Sequence, residues 1–231
     1  MWESRADRGM AKIHIVGAGP GSPDYVIPAA RKVVQKAAVV IGAERALNLF
    51  SEDIKGEKIV LTARNFQEVL NKAIKLAENG LEVTFISTGD PCFSGLLKTF
   101  SRLLGEEADI NVIPGISSVQ VCAAKLKISW DEAAIISFHE GVNEHKKREL
   151  AQAGLAGKPL IILPDLKTFP PREIARFLMG EGIAGESLAY ICENLTLDDE
   201  RIIQVPLEAV ESLDHKSLCV MVVKPLKRDE V

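Results

Sequence analysis

The chain has 231 residues, 47% of them apolar, and a formal charge of −4, enough for one large domain or two smaller ones, each with its own core. The acidic balance disfavours a nucleic-acid coat, which needs a basic excess, but allows an anionic small molecule held by a few focused cations. Apolar stretches such as Ala37–Ile41 fall far short of the roughly 20 residues that span a bilayer, and no charged-then-apolar signal peptide opens the sequence, so the expectation is a cytoplasmic protein with neither membrane nor nucleic-acid partners.

Residues 1–11 are charged and aperiodic and are expected to form a disordered arm. From Lys12 onward the pattern predicts a strand over Ile13–Val16, ending in the turn Val16-Gly-Ala-Gly-Pro-Gly21. A helix over Pro28–Lys36 and a strand over Ala38–Ile41 follow. Phe66, Val69, Leu70, Ala73, Ile74 and Ala77 recur at helical spacing, and Gly80 stands where a helix ends in positive φ. The strand Leu81–Ser87 then runs into the turn Thr88-Gly-Asp-Pro-Cys-Phe93, and a helix covers Gly95–Leu104. Asp109–Ile113 is a strand ending in the third turn, Ile113-Pro-Gly-Ile-Ser-Ser118. This alternation favours a parallel sheet.

The second half continues with helix Ser117–Leu126, strand Ala133–Phe138, a charged helix over Asn143–Ala153, strand Pro159–Leu163, helix Pro171–Met179 and strand Ser187–Cys192. Arg201–Val205 and Ser217–Val223 have little helix between them and are expected to pair as a hairpin-like antiparallel edge. A boundary near Pro114 gives an N-terminal α/β domain over 12–114 and a C-terminal α/β domain over 115–231, with a cleft between them.

Glycine lets backbone approach a ligand, and proline fixes φ and removes a donor, so three Gly/Pro turns at strand ends point to a site lined by main chain. The first imitates a dinucleotide fingerprint, but Ser22 holds the third glycine position and Pro20 occupies the turn. A P-loop ending in Gly-Lys-Ser/Thr is absent. Asp90 follows a strand end, which puts its carboxylate where ligands of open α/β sheets collect; it could equally cap the helix that follows. Four scattered cysteines and four scattered histidines lack zinc-type spacing, so reduced core thiols and no protein metal site are expected.

Val16-Gly-Ala-Gly-Pro-Gly-Ser-Pro-Asp-Tyr25, Ser87-Thr-Gly-Asp-Pro91 and Pro114-Gly-Ile-Ser-Ser118, in this order, resemble the tetrapyrrole (corrin/porphyrin) methylase family, and the similarity covers about Lys12–Lys224. Within the family, Val40-Ile-Gly-Ala-Glu-Arg-Ala-Leu47, Ile191-Cys-Glu-Asn-Leu-Thr-Leu-Asp-Asp-Glu-Arg-Ile202 and Pro114–Gln120 with Ser137-Phe-His139 look like the branch that methylates carbon 5 of precorrin-7 or its cobalt form. That branch occurs as a separate protein or as the N-terminal part of precorrin-6Y C5,15-methyltransferases. The resemblance implies two α/β domains, a homodimer, a tetrapyrrole substrate, and S-adenosyl-L-methionine as cofactor in the cleft. It also implies a separate carbon-15 methyltransferase/decarboxylase as partner. Carried over by position, Pro20, Thr88, Gly89, Asp90, Phe93, Ser117 and Ser118 would line the cofactor site, joined by Pro164, Asn194 and Leu195.

Methyl transfer from a sulfonium is an in-line displacement that orientation alone accelerates, so no covalent residue is required. No general base is assigned; the candidate catalytic residues are Arg45 and His139. A guanidinium fork at Arg45 suits a macrocycle carboxylate, and His139 could orient substrate or shuttle a proton near neutral pH. The basic run His145–Arg148 would attract carboxylates or form a solvated helix face. Two departures from relatives stand out: Ala43 replaces the aspartate of uroporphyrinogen-methylating members, and Glu140 replaces a glycine after His139. The alternatives are methylation at another precorrin position, a diphthine synthase-like activity, and a metabolite-binding protein without turnover.

Overall fold

The computed structural model describes residues 13–105, 109–214 and 218–226; the N-terminal arm read as disordered lies outside them. The chain divides into two compact units after Ser117, where the sequence reading put the boundary at Pro114. Among the described residues no helix is long and apolar enough to cross a membrane.

In the first unit, β1 (Ile13–Gly17), β2 (Val39–Gly42), β3 (Glu57–Val60), β4 (Val83–Ser87) and β5 (Ile110–Ile113) form a parallel sheet in the order β3-β2-β4-β1-β5. The crossovers carry α1 (Pro28–Lys36), α2 (Glu44–Asn48), α3 (Phe66–Glu78) and α4 (Leu96–Leu104). The period-2 alternation of each strand serves two cores. Ile15, Ile41, Val83 and Phe85 pack with Leu70 and Ala73 of α3 and with Phe100 of α4, where the Phe85 and Phe100 rings meet edge to face at 4.7 Å. Val16, Val40 and Ile86 face the other way, onto Ala30 and Val34 of α1 and onto Leu47 and Phe50. Each Val, Leu, Ile or Phe side chain among them, fully buried, contributes about 1.5–3 kcal/mol of transfer free energy. α3 begins at Phe66, and Gly80 has φ +82° just past its end, as the periodicity predicted.

In the second unit, β6 (Ala134–Ser137), β7 (Leu160–Leu163), β8 (Leu188–Glu193), β9 (Arg201–Pro206) and β10 (Cys219–Lys224) form a mixed sheet in the order β6-β7-β10-β8-β9. With it pack α5 (Ser118–Leu126), α6 (Glu144–Leu155) and α7 (Pro171–Gly180). β6 and β7 are parallel, while β10 runs antiparallel to both β7 and β8. The carboxyl ends of β6, β7 and β8 therefore emerge on one edge. Leu160, Ile162, Ile191, Met221 and Val223 form one core with Leu150 of α6 and with Ile174 and Leu178 of α7.

The expected hairpin of the last two strands is corrected. β9 pairs with β8, Glu193 opposite Arg201, and β10 is inserted between β7 and β8. The physical reason is in the side chains: Cys-Val-Met-Val-Val is a continuous apolar run buried on both faces, suited to a central strand. Arg201–Pro206 mixes exposed with half-buried residues and takes the edge.

Candidate functional site

Because β4, β1 and β5 are adjacent and parallel, the three turns that follow them arrive on the same edge of the first sheet. The first two are tied together by backbone. Ala18 N donates to Ser87 O (2.8 Å), Gly89 N donates to Gly19 O (2.9 Å), and Gly19 N donates to Gly89 O (3.3 Å). Gly19 (φ +79°) and Gly89 (φ +67°) hold left-handed conformations that a Cβ would strain. Gly17 and Gly115 are required by proximity instead: a Cβ on Gly17 would stand 2.5 Å from Gly115 Cα and 2.8 Å from Gly89 O.

Asp90 locks the second turn to the third. Its Oδ2 accepts from Gly115 N (2.9 Å) and its Oδ1 from Cys92 N (2.7 Å). It does not cap α4, whose N-cap is Gly95; Ser87 Oγ instead accepts from Leu96 N at 3.3 Å. Pro20, Gly89, Asp90 and Phe93 are half-buried, Thr88 is exposed and Ser117 is buried. Ser94, beside Phe93, is a non-glycine residue at φ +53°, a conformation that costs free energy and collects at ligand-binding loops.

The remaining candidates belong to the second unit. Ser118 opens α5, Pro164 is buried immediately after β7, and Asn194 and Leu195 follow β8. Asn194 (φ +48°) and Thr196 (φ +72°) are both left-handed without being glycine. The strain is held by Asn194 N donating to Leu218 O (2.9 Å), Asn194 Nδ2 to Asp199 Oδ2 (2.7 Å), and Thr196 N to Glu200 Oε2 (2.7 Å). Glu200 is anchored in turn by Lys125 of α5 at 2.7 Å. Beneath this loop Glu193 is fully buried and paired with Arg201 at 2.7 Å.

A family model described as Tetrapyrrole (Corrin/Porphyrin) Methylases matches residues 12–211. The chain belongs to the tetrapyrrole methylase family. It is 41% identical over 212 residues to a protein of Methanocaldococcus jannaschii named as a probable cobalt-precorrin-7 C(5)-methyltransferase, covering 91% of this chain and 96% of that one. A solved precorrin-6Y methylase of cobalamin biosynthesis from Archaeoglobus fulgidus superposes with a TM-score of 0.71 at 28% identity, over 95% of this chain and 100% of that one. A uroporphyrin-III C-methyltransferase of Thermus thermophilus, complexed with S-adenosylhomocysteine, shares the fold at a TM-score of 0.73 and 20% identity, over 92% and 91% of the two chains.

In this tetrapyrrole methylase the two candidate catalytic residues lie in different units. Arg45 is exposed on the five-residue α2, and His139 is exposed two residues beyond β6. The basic run on α6 does not behave as one face. His145 and Arg148 are exposed, whereas Lys146 Nζ donates to Ser137 O and Lys147 Nζ lies 5.4 Å from the Phe169 ring centre. Sequence reasoning missed the Asp90–Gly115 lock, Ser87 and Asp165. Asp165 follows Pro164, and its carboxylate is held below the usual range by the N–H groups of Lys167 and Thr168.

Cys122, Cys192 and Cys219 are buried and Cys92 is exposed. The Cys122 and Cys192 sulfurs are 3.4 Å apart; that hydrogen bond, followed by burial, pushes the Cys122 thiol up. Burial, then the Glu193 charge, pushes Cys219 up to about 12. Cys92 is also raised, by partial burial and then by the Asp90 charge. A water-soluble aromatic disulfide reagent at pH 8 is therefore expected to titrate one thiol in the native protein, slowly, and none in Cys92→Ser. Rapid reaction of two or more native thiols would contradict this burial pattern. Among the described residues no group of three His, Cys, Asp or Glu side chains is placed to hold a metal ion.

Proposed function

We propose that this chain transfers a methyl group from S-adenosyl-L-methionine to carbon 5 of cobalt-precorrin-7, or of precorrin-7, in cobalamin biosynthesis. The observation that carries the reading is the 41% identity to the Methanocaldococcus protein, which extends over nearly the full length of both chains. A cobalt-precorrin-4 C(11)-methyltransferase from the same organism reaches 27% and one from Priestia megaterium 32%, both well below 41%, which favours the carbon-5 acceptor.

The residues fit the cofactor. The turns at Gly17, Gly89 and Gly115 form a cradle of main chain packed closer than a Cβ on Gly17 or Gly115 would allow, and such a main-chain surface suits a ligand recognised through backbone groups. Pro20, Thr88, Gly89, Asp90, Phe93, Ser117, Ser118, Pro164, Asn194 and Leu195 would hold the cofactor. When bound, the cofactor supplies an electrophilic methyl on a sulfonium. The protein's own part is to orient and to exclude water: the Asp90 lock fixes the cradle, and the strained Asn194–Thr196 loop is pre-set rather than ordered on binding, which spares binding free energy. Arg45 would grip an acceptor carboxylate. We further propose a cytoplasmic homodimer that works beside a separate carbon-15 methyltransferase/decarboxylase.

The reading is tested by calorimetric titration with S-adenosylhomocysteine, followed by incubation of labelled cofactor with a precorrin mixture. Micromolar binding and label in the corrin fraction are expected. Binding without transfer would favour a metabolite-binding role, and label in a translation factor instead of the corrin would favour a diphthine synthase-like activity.

A further inference from the structure

At the carboxyl ends of β6 and β7 stands a titratable pair, His139 and Asp165, outside the residues proposed to hold the cofactor. Ser137 is in register with Leu163, and Phe138 N donates to Leu163 O (2.8 Å), so the parallel ladder extends one residue past the strands. It delivers His139 and Asp165 from neighbouring strand ends, and the imidazole and carboxylate act on each other electrostatically. Both are fixed by their backbones. His139 N donates to Ser137 Oγ (3.3 Å). Asp165 Oδ1 accepts from Lys167 N (2.9 Å) and Thr168 N (3.2 Å), and Phe169 N donates to Asp165 O (2.7 Å). The Phe138 and Phe169 rings, edge to face at 4.9 Å, form an apolar floor. From α6, Lys146 is tied to Ser137 O and brings a positive charge to the same ring.

We propose that His139 accepts the proton that the macrocycle loses on methylation, and that Asp165 is a positioning residue which orients and polarises the His139 ring for this task. The inference rests on the proposed function. The ring carbon's electron pair forms the new carbon–carbon bond, and the carbon–sulfur bond breaks toward sulfur. One ring proton passes to an imidazole nitrogen of His139, its bonding pair restoring the conjugation, and the imidazolium then releases the proton to water.

The electrostatics support this. Partial burial of the ring lowers the His139 pKa most, Asp165 raises it and Lys146 lowers it, with a net direction below the ordinary value, so the ring is uncharged and able to accept near neutral pH. Asp165, held low by N–H donors, stays ionised wherever the imidazole titrates. The charged groups at the ring are thus Asp165 from the turn after β7 and Lys146 from α6, with Glu140 next in the chain.

The test combines ring titration by NMR in the cofactor-free protein with steady-state kinetics. Asp165→Asn retains the Oδ1 acceptor of the turn and removes the charge, so the fold is kept. It is expected to lower the His139 midpoint by roughly half a unit or more, whereas Lys146→Met is expected to raise it. In kinetics, His139→Ala is expected to reduce kcat about 100-fold with KM little changed, and Asp165→Asn to move the acid limb of kcat/KM to lower pH. An unchanged midpoint in Asp165→Asn would overturn the positioning role, and wild-type kcat in His139→Ala would overturn proton acceptance. If the wild-type protein methylates no precorrin, the proposed function fails and proton acceptance fails with it, while the titration still decides whether Asp165 governs His139.

Discussion

Gly115→Ala is expected to abolish measurable binding of S-adenosylhomocysteine and to lower the thermal midpoint by roughly 5 °C or more. The added Cβ would collide with the Gly89 carbonyl oxygen and stand 2.7 Å from Gly17 Cα. Every obstacle is backbone, so no side chain can swing away, and overpacking of this kind typically costs about 1–3 kcal/mol. The strain is relieved only by separating the third turn from the first two. That movement stretches the Gly115 N to Asp90 Oδ2 hydrogen bond and opens the cradle. Gly180→Ala is the control, because a Cβ there meets nothing within 4 Å and the residue ends α7; its melting and binding should match wild type. A Gly115→Ala protein with wild-type affinity and midpoint would show that the three turns need not touch.

Asp90→Ala removes the lock without adding bulk, and it is expected to weaken cofactor binding roughly five- to thirtyfold in calorimetry. Two backbone donors, Cys92 N and Gly115 N, lose their acceptor. Each charge-assisted hydrogen bond of this type contributes about 1.5–3 kcal/mol when shielded and less where water can substitute, so a net loss of about 1–2 kcal/mol is expected at this half-buried site. Asp90→Asn keeps one good acceptor oxygen and should fall between the two. An unchanged dissociation constant in Asp90→Ala would remove Asp90 from the account of cofactor binding.

Much of the first unit is legible in the sequence because each element carries its own local signal. Pro28 opens α1, the Phe66–Ala77 period defines α3, and Val83–Ser87 is a buried apolar strand. β3 is not legible: Glu57-Lys-Ile-Val is a four-residue edge strand with three exposed residues and no apolar run. α2, at five residues, is too short to show a period. The central place of β10 depends on which partners a continuous apolar strand finds, and that is decided across the sheet rather than within residues 218–224.

The candidate site divides in the same way. The Gly/Pro turns are visible because glycine and proline mark unusual backbone wherever they occur. The Asp90 lock joins residues 25 apart and exists only because β4, β1 and β5 are neighbours. Asp165 was hidden for a similar reason: its partner His139 precedes it by a whole helix, and only the parallel pairing of β6 with β7 brings them to adjacent strand ends. The basic run shows the opposite failure. Its charges suggest one surface, yet the helical repeat turns Lys146 and Lys147 inward, onto a strand-end carbonyl and a phenylalanine ring.

The most direct measurement is transfer of a carbon-13-labelled methyl group from S-adenosyl-L-methionine to cobalt-precorrin-7, followed by NMR assignment of the product. The account predicts one added methyl group, at carbon 5, with S-adenosylhomocysteine formed in equal amount. A labelled methyl at any other ring position, or no transfer by protein that binds the cofactor, would contradict it.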